Sequence, residues 1–330
     1  MNAAAPFHGK KVLITGGLGF LGSNLARELV EAGADVLLVD SLIPEYGGNR
    51  ANIAGIEDRV TVNISDIRDT HSLGPLLRGQ DVLFNLAGQT SHLDSMTDPF
   101  TDLEINCRAQ LAILEACRQH NPDLKVVFAS TRQIYGRPRY LPVDENHPVA
   151  PVDVNGIDKA AGEAFHLLYG EVYGLPVCAL RLTNVYGPRM RVRDARQTFL
   201  GTWIRAVLSG EPVEVWGDGE QRRDLLYVDD AVRAFLLAAA ADAANGEVFN
   251  VGVDGSISLL ELAELLVELH GSGQVAVVPF PPERKAIDIG DYYTRAEKIR
   301  SGLGWDAEVP LRTGLERTLA YYATHGERYW

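Results

Sequence analysis

The chain has 330 residues, 46% hydrophobic and 23% charged, enough for one large α/β domain with material left for a smaller lobe. Its formal net charge of -13, with no Lys/Arg cluster, argues against nucleic acid as a partner, because phosphate backbones are held by basic faces. No run approaches the roughly 20 apolar residues of a membrane helix, the three unclustered cysteines Cys107, Cys117 and Cys178 read as reduced thiols, and the eight histidines lack metal-ligand spacing; no membrane, disulfide or metal is expected, and the expected compartment is the cytoplasm.

From the N-terminus, the first ten residues are too short for a secretory leader and run into a β-branched stretch. Nearly continuous apolar runs predict strands at 11–15, 35–40, 60–64, 81–86, 125–129 and 177–182, the composition of parallel strands covered on both faces. Helical periodicity lies between them. Leu21, Leu25 and Leu29 recur every four residues before Gly33, and 106–118 and the stretch after Lys159 read the same way. The class is α/β: a doubly wound parallel sheet. After about Thr183 the chain changes to Pro- and Gly-punctuated loops with helices at 198–209, 259–269 and 311–322. Residues 1–183, with 223–251 returning to them, are expected to form a Rossmann domain; 184–222 and 252–330 are expected to form a smaller C-terminal substrate lobe.

The most informative segment is Thr15-Gly16-Gly17-Leu18-Gly19-Phe20-Leu21-Gly22, between a strand and a helix. Gly16 permits a tight turn, Gly19 lets backbone amides approach a pyrophosphate, and Gly22 lets the helix pack closely; the helix N-terminus then faces phosphate. Asp40 closes the second strand 18 residues after Gly22. A carboxylate there accepts from ribose hydroxyls and repels a 2′-phosphate, so the expected cofactor is NAD rather than NADP.

These features resemble the extended short-chain dehydrogenase/reductases, specifically the NAD-dependent nucleotide-sugar epimerase/dehydratase family. The resemblance covers essentially the whole chain. It rests on Thr15–Gly22, Asp66, the run Asn85-Leu86-Ala87-Gly88, Asn106, Ser130-Thr131 before Ile134-Tyr135-Gly136, and Lys159. It continues through Arg181–Arg189, Gly217–Asp224 and Tyr227–Asp230. The resemblance implies that Phe20 and Leu21 border the cofactor, Asp66 and Ile67 hold the adenine, and Leu86, Ala87, Gly88 and Gln89 line the nicotinamide side, with Gln89 also facing the substrate. It implies that Asn184 and Arg223 grip a sugar-nucleotide diphosphate, with Arg189, Trp216 and Arg284 nearby. Guanidinium groups suit that task because they donate parallel hydrogen bonds to phosphate oxygens. Arg223 could instead pair with Asp224 or Asp229, and Asn184 could be a turn residue. A homodimer through 106–118 and 160–173 is the family's habit.

At the catalytic tetrad the chain departs from the pattern. Family members use Tyr-x-x-x-Lys with a Ser/Thr, the Tyr taking the sugar hydroxyl's proton and the Lys lowering its pKa. Thr131 and Lys159 are present, but the residue four before Lys159 is Asn155, and no Tyr occurs from Leu141 to Leu168. An amide has no proton to lose at accessible pH, so Asn155 can hydrogen-bond a sugar but cannot be the base. Three substitutes stand open: Lys159 with a depressed pKa; Asp153 or Asp158, which read better as helix-start carboxylates; or Tyr135 or Tyr140 reaching in. Arg132, where small residues are usual, adds a possible charge contact to the substrate. The family's dehydratases carry Asp-Glu where this chain has Arg132-Gln133, which disfavours dehydration. The expectation is a C4 epimerase acting on a nucleotide-sugar, with UDP favoured, through a transient 4-keto sugar. The alternatives are another 4-keto-sugar reaction such as decarboxylation, or a silent protein that binds NAD and a nucleotide-sugar.

Overall fold

The computed structural model describes residues 2–196 and 198–330. Met1 and Gln197, inside the predicted segments 1–183 and 184–222, lie outside the described residues. The first half alternates β1 (Lys11–Thr15), α1 (Phe20–Glu31), β2 (Asp35–Asp40), β3 (Val60–Ile64), α2 (Thr70–Leu77), β4 (Val82–Asn85), α3 (His92–Thr97), α4 (Pro99–Leu103), α5 (Ala109–His120), β5 (Lys125–Thr131), α6 (Val154–Tyr173) and β6 (Val177–Leu182). The second half carries β7 (Asn184–Tyr186), α7 (Phe199–Ser209), β8 (Val213–Trp216), β9 (Arg222–Arg223), β10 (Leu225–Tyr227), α8 (Val228–Ala240), β11 (Val248–Val251), β12 (Ile257–Ser258), α9 (Leu259–His270), β13 (Val275–Val278), α10 (Pro282–Ala286), α11 (Glu297–Leu303) and α12 (Leu311–His325).

Seven strands form one parallel sheet in the order β11-β6-β5-β4-β1-β2-β3. Along β1, Val12 and Ile14 enter one apolar cluster with Leu25 and Leu29 of α1, while Leu13 enters the opposite cluster with Leu114 and Val126. Two-residue periodicity thus sends successive side chains to two cores, as a sheet covered on both faces requires. This is the doubly wound sheet expected from the alternation of strands and helices. The strand order reverses between β1 and β4, and the crevice at that switch point is where such sheets take ligands.

The exceptions to the predicted boundaries have local causes. β4 is shorter than 81–86 because the Asp81 carboxylate accepts from Lys11 N and Leu86 N turns to Thr15 Oγ1. β5 runs two residues past Ala129 because Ser130 and Thr131 pair in register with Arg181 and Leu182 of β6. The helix expected at 106–118 starts at Pro99, under an Asp98 cap, and passes through a π turn at Glu104–Arg108 before α5. That turn carries Asn106, whose side chain donates to Gln89 O (2.9 Å) and Asp102 Oδ1 (3.0 Å) and accepts from Gln89 N (3.2 Å); wide turns of this kind recur beside functional sites. α6 begins under Asp153, whose Oδ1 accepts from Gly156 N at 2.7 Å, and ends at left-handed Gly174.

The remaining strands pair in three small ribbons: β7 with β10, β8 with β13, and β9 with β12. β11, from the segment expected to return to the first half, lies beside β6 at the edge of the large sheet. No helix among the described residues is long and apolar enough to cross a membrane, and none of their His, Cys, Asp and Glu residues cluster in threes fit to hold a metal ion.

Candidate active site

The glycine turn is shaped by backbone against backbone. Gly16 has φ +68°, where only glycine is at ease, and a Cβ on Gly22 would lie 2.2 Å from Gly16 O. α1 begins at Phe20 with Gly19 as its cap and no side chain on its first amides, so those donors remain for an anion. The cleft in front of this turn is lined by Gly16, Gly19, Phe20, Leu21, Gly22, Asp40, Asp66, Ile67, Leu86, Ala87 and Gly88. Asp40 accepts from Leu18 N (2.9 Å) and Leu42 N (2.8 Å); burial raises its pKa and these two bonds oppose the rise. Asp66 is held by a double hydrogen bond from Arg68, which keeps its carboxyl below the usual range. The uncapped helix end, the close-packed glycines and a carboxylate at the end of β2 fit a dinucleotide.

Behind the loop that follows β4 lies a buried polar layer. Asn155 Nδ2 donates to Gln89 O (2.9 Å) and Asp102 Oδ2 (3.1 Å), and Asn155 N donates to Ser95 Oγ (3.2 Å). Asn155 is therefore a clamp between α6, the post-β4 loop and α4. Asp102 is fully buried, and burial first, then the nearby Asp102 carboxyl, push the Asp158 carboxyl up to about 7. Lys159 Nζ donates to Ala129 O at 2.6 Å, sits 4.3 Å from the Phe128 ring centre, and lies about where Gly88 leaves room, 3.9 Å from a Cβ built there. Burial lowers its pKa to about 8, against the pull of Asp102 and Glu163. Thr131 Oγ1 accepts from Gln133 N as β5 ends.

A second cavity, about 820 Å³ and within the roughly 300–1,000 Å³ of small-molecule sites, opens beside the cleft. The segment after β4 serves both: Leu86, Ala87, Gly88 and Thr90 wall the cleft, while Ser91, His92, Leu93 and Asp94 wall the cavity. Arg132, Asn184, Trp216, Arg223 and Arg284 are all on the cavity wall. Arg132 Nη2 donates to Asn184 Oδ1 (3.0 Å), its Cζ lies 5.1 Å from the Tyr292 ring centre, and its buried Nη1 has no protein partner. Arg223 is anchored by Gly290 O (2.6 Å) and Arg222 O (2.9 Å); burial and then the charge of Arg132 lower its pKa to about 10. Burial lowers the pKa of Arg132 as well, and an anion between the two guanidiniums would offset that cost. At the far end Arg284 stacks over Trp216 (4.8 Å), which meets Phe280 at 5.8 Å.

Two expected substrate contacts are elsewhere. Arg189 has φ +72°, donates to Asn24 Oδ1 of α1 at 2.8 Å and lies over Tyr321, so it fastens the loop after β7 to α1 and α12 instead of facing the cavity. The Gln89 side chain closes on its own turn, bonding Ser91 N and Ser91 O, and is spent there. The alternative pairing of Arg223 with Asp224 or Asp229 is also not what forms; its nearest carboxylate is Asp288, 3.9 Å away. Of the substitute bases, Tyr135 OH donates to Asn250 and accepts from Arg181, its pKa pushed up to about 12 by burial. Tyr140 is exposed and bonded to Asp144. The structure adds residues the motifs did not single out: Asp102, Phe280, Asp288 and His92. Only His92 left a trace in the sequence, three residues past the Leu86–Gln89 run expected to line the nicotinamide side.

Residues 12–252 match the family model described as the NAD dependent epimerase/dehydratase family. The chain is 34% identical, over 95% of its length and 98% of the relative's, to a UDP-N-acetyl-alpha-D-glucosaminuronate decarboxylase of Bacillus cytotoxicus. It is 31% identical, over 94% of its length and 98% of the relative's, to a UDP-glucose 4-epimerase of Mycolicibacterium smegmatis. Among solved structures, the UDP-glucuronic acid 4-epimerase of Bacillus cereus in complex with UDP-glucuronic acid and NAD superposes with a TM-score of 0.85 at 29% identity, covering 96% of this chain and 99% of that one.

Proposed function

Since the chain belongs to the NAD-dependent epimerase/dehydratase family, with NAD as its cofactor, we propose that it epimerises a nucleotide-sugar, a UDP-sugar first, at C4 through a transient 4-keto sugar. The observation that carries this reading is the pair of cavity guanidiniums, Arg132 and Arg223, facing a space joined to the glycine-turn cleft by the 86–94 segment. A sugar diphosphate anchored there would present its ring to the nicotinamide side. NAD, when bound, supplies a hydride acceptor that can return what it takes. Gly16–Gly22 and the α1 amides would hold its pyrophosphate, Asp40 its ribose, and Asp66 and Ile67 its adenine. Lys159 has two ammonium hydrogens left after Ala129 O for the other ribose. Trp216 and Phe280 offer flat faces on which a base can stack. Residues 1–183 and 223–251 would thus carry the cofactor, and 184–222 and 252–330 the nucleotide.

Copurified or added NAD with a panel of UDP-, GDP-, CDP- and dTDP-sugars, uronic acids included, followed by proton NMR and absorbance near 340 nm, tests the reading. Expected is an equilibrium of C4 epimers without net NADH; a bound sugar that gives neither epimer nor NADH defeats it, and carbon dioxide release would make it a decarboxylase. We also propose a cytoplasmic homodimer. Phe100 (77% exposed), Leu103, Ile157, Leu168 and Val172 lie uncovered on α4 and α6, apolar side chains that a second copy would take out of water. Phe100→Glu should then halve the mass seen by light scattering, whereas a wild-type monomer would refute the dimer.

A further inference from the structure

With Asn155 unable to take a proton, the base must come from another group that reaches the cavity. Lys159 points its Nζ at Ala129 O, Tyr135 is locked between Arg181 and Asn250, and Asp158 is turned to Asp102. His92 differs from all of these. It lies on the cavity wall, immediately past the residues that wall the cofactor cleft, and its Nε2 has no hydrogen bond among the described residues. Its Nδ1 is 2.9 Å from Asp153 Oδ2, a contact bent from the best hydrogen-bond line. The Asp153 side chain is fully buried and fixed from two other sides: Gly156 N on Oδ1 at 2.7 Å and Gln133 Nε2 on Oδ2 at 2.8 Å. The carboxylate that starts the helix of Asn155 and Lys159 thus also steers an imidazole, and the Gln133 that holds it follows Arg132 on the same wall.

We propose that His92, oriented by Asp153, is the proton acceptor for the sugar hydroxyl, in the position of chemical need that Asn155 leaves. The proposal rests on the epimerase reading above. The O4 proton passes to His92 Nε2 as the C4–H bond breaks, its electron pair leaving as hydride to oxidised NAD, and the C4–O bond becomes a carbonyl. The imidazolium's charge then faces the Asp153 carboxylate. When the hydride returns to the other face of the ring, His92 gives the proton back to O4 and the protein is unchanged. An imidazole suits the task because one ring nitrogen can take and return a proton while the other is held by a carboxylate. The other charged groups along this wall are Asp94 with its partner Arg196 (2.7 Å), Arg132, Asp194, Glu211, Glu214, Arg223, Arg284 and Asp288.

The test compares wild type, His92→Gln and Asp153→Asn in the NAD-loaded full-length protein. His92→Gln should lower kcat by roughly 100-fold or more while KM for the nucleotide-sugar moves less than about threefold. Imidazole in the buffer should restore part of the rate in His92→Ala. Asp153→Asn keeps an oxygen to cap Gly156 but removes the negative charge, so it should move the acid limb of the kcat profile to lower pH. A readout independent of turnover is the imidazole carbon-bound proton signal, assigned by its loss in His92→Gln; its titration midpoint should fall in Asp153→Asn. The proposal is overturned if an active wild type is matched within threefold by His92→Gln, if only KM changes, or if the midpoint ignores Asp153→Asn. A wild type inactive on every nucleotide-sugar it binds overturns the epimerase reading itself, and the proton-acceptor role with it.

Discussion

The cofactor cleft and the sugar-nucleotide cavity lie side by side, yet they are built by opposite means. The cleft is made almost wholly of local sequence: one turn of eight residues, one helix end and the tips of neighbouring strands, with glycines where a Cβ would strike backbone. The cavity draws side chains from many separate stretches, among them His92, Arg132, Asn184, Trp216, Arg223 and Arg284. A feature fixed by backbone geometry tolerates almost no change at a few positions. A feature assembled from side chains can be retuned one residue at a time, which is how Asn155 can become a clamp without the scaffold failing.

The sharpest break between the two regions should come from Gly22→Ala. Its Cβ would meet Gly16 O at 2.2 Å, both atoms held by backbone, so we expect a loss of roughly 3 kcal/mol or more of stability, and NAD retention after gel filtration should vanish. If NAD stays bound at wild-type stoichiometry, the cleft is less rigid than its packing implies. Next, Arg223→Ala should weaken nucleotide-sugar binding by about 30- to 100-fold, roughly 2–3 kcal/mol for charge-assisted hydrogen bonds. Calorimetry should find NAD affinity unchanged within twofold; a parallel fall in both would show that the regions are not separable.

Lys159→Met probes the layer between them through pH. Lys159 is buried with its pKa lowered to about 8 from 10.5. Below pH 8 it is charged in both folded and unfolded protein, and the full burial penalty is present, about 3 kcal/mol. Between pH 8 and 10.5 the unfolded chain binds more protons than the folded one, so stability rises with pH through that window. Removing the charge should raise Tm by a few degrees at pH 7 and less at pH 10, after losing one hydrogen bond of about 1 kcal/mol, while turnover is lost. A Tm that drops equally at both values would mean the ammonium is stabilising. The smallest effect belongs to Arg189→Ala, with KM within twofold of wild type and Tm lower by a few degrees, since Arg189 ties a loop to Asn24. A tenfold rise in KM would return Arg189 to the substrate side.

How far each region could be read in advance follows the same division. β1, β2, β3 and β6 begin and end where their apolar runs do; for β1, β2 and β6 the reason is burial on both faces, which leaves little ambiguity in composition, whereas β3 is a half-exposed edge strand. The cleft residues were legible for a related reason, as glycine spacing reports backbone conformation directly. Asn184, Trp216, Arg223 and Arg284 were legible as candidates by resemblance and Arg132 as a departure from it, whereas Arg189, named by the same resemblance, lies off the cavity wall. Nothing in the string Tyr186-Gly187-Pro188-Arg189 says that a positive φ at Arg189 turns its guanidinium toward α1. His92 and Asp153 are 61 positions apart, 153 minus 92, and their 2.9 Å contact has no counterpart in spacing.

By itself, then, the sequence determined the doubly wound sheet, the glycine turn for NAD, the family and the absence of a tyrosine at position 155. These properties are local, set by the periodicity of burial and the steric freedom of single residues. Only the tertiary structure decided what Asn155 does, which arginines face the cavity, and that an imidazole and a carboxylate meet beside it. Those depend on contacts between segments far apart in the chain, where packing rather than propensity sets each side chain's direction.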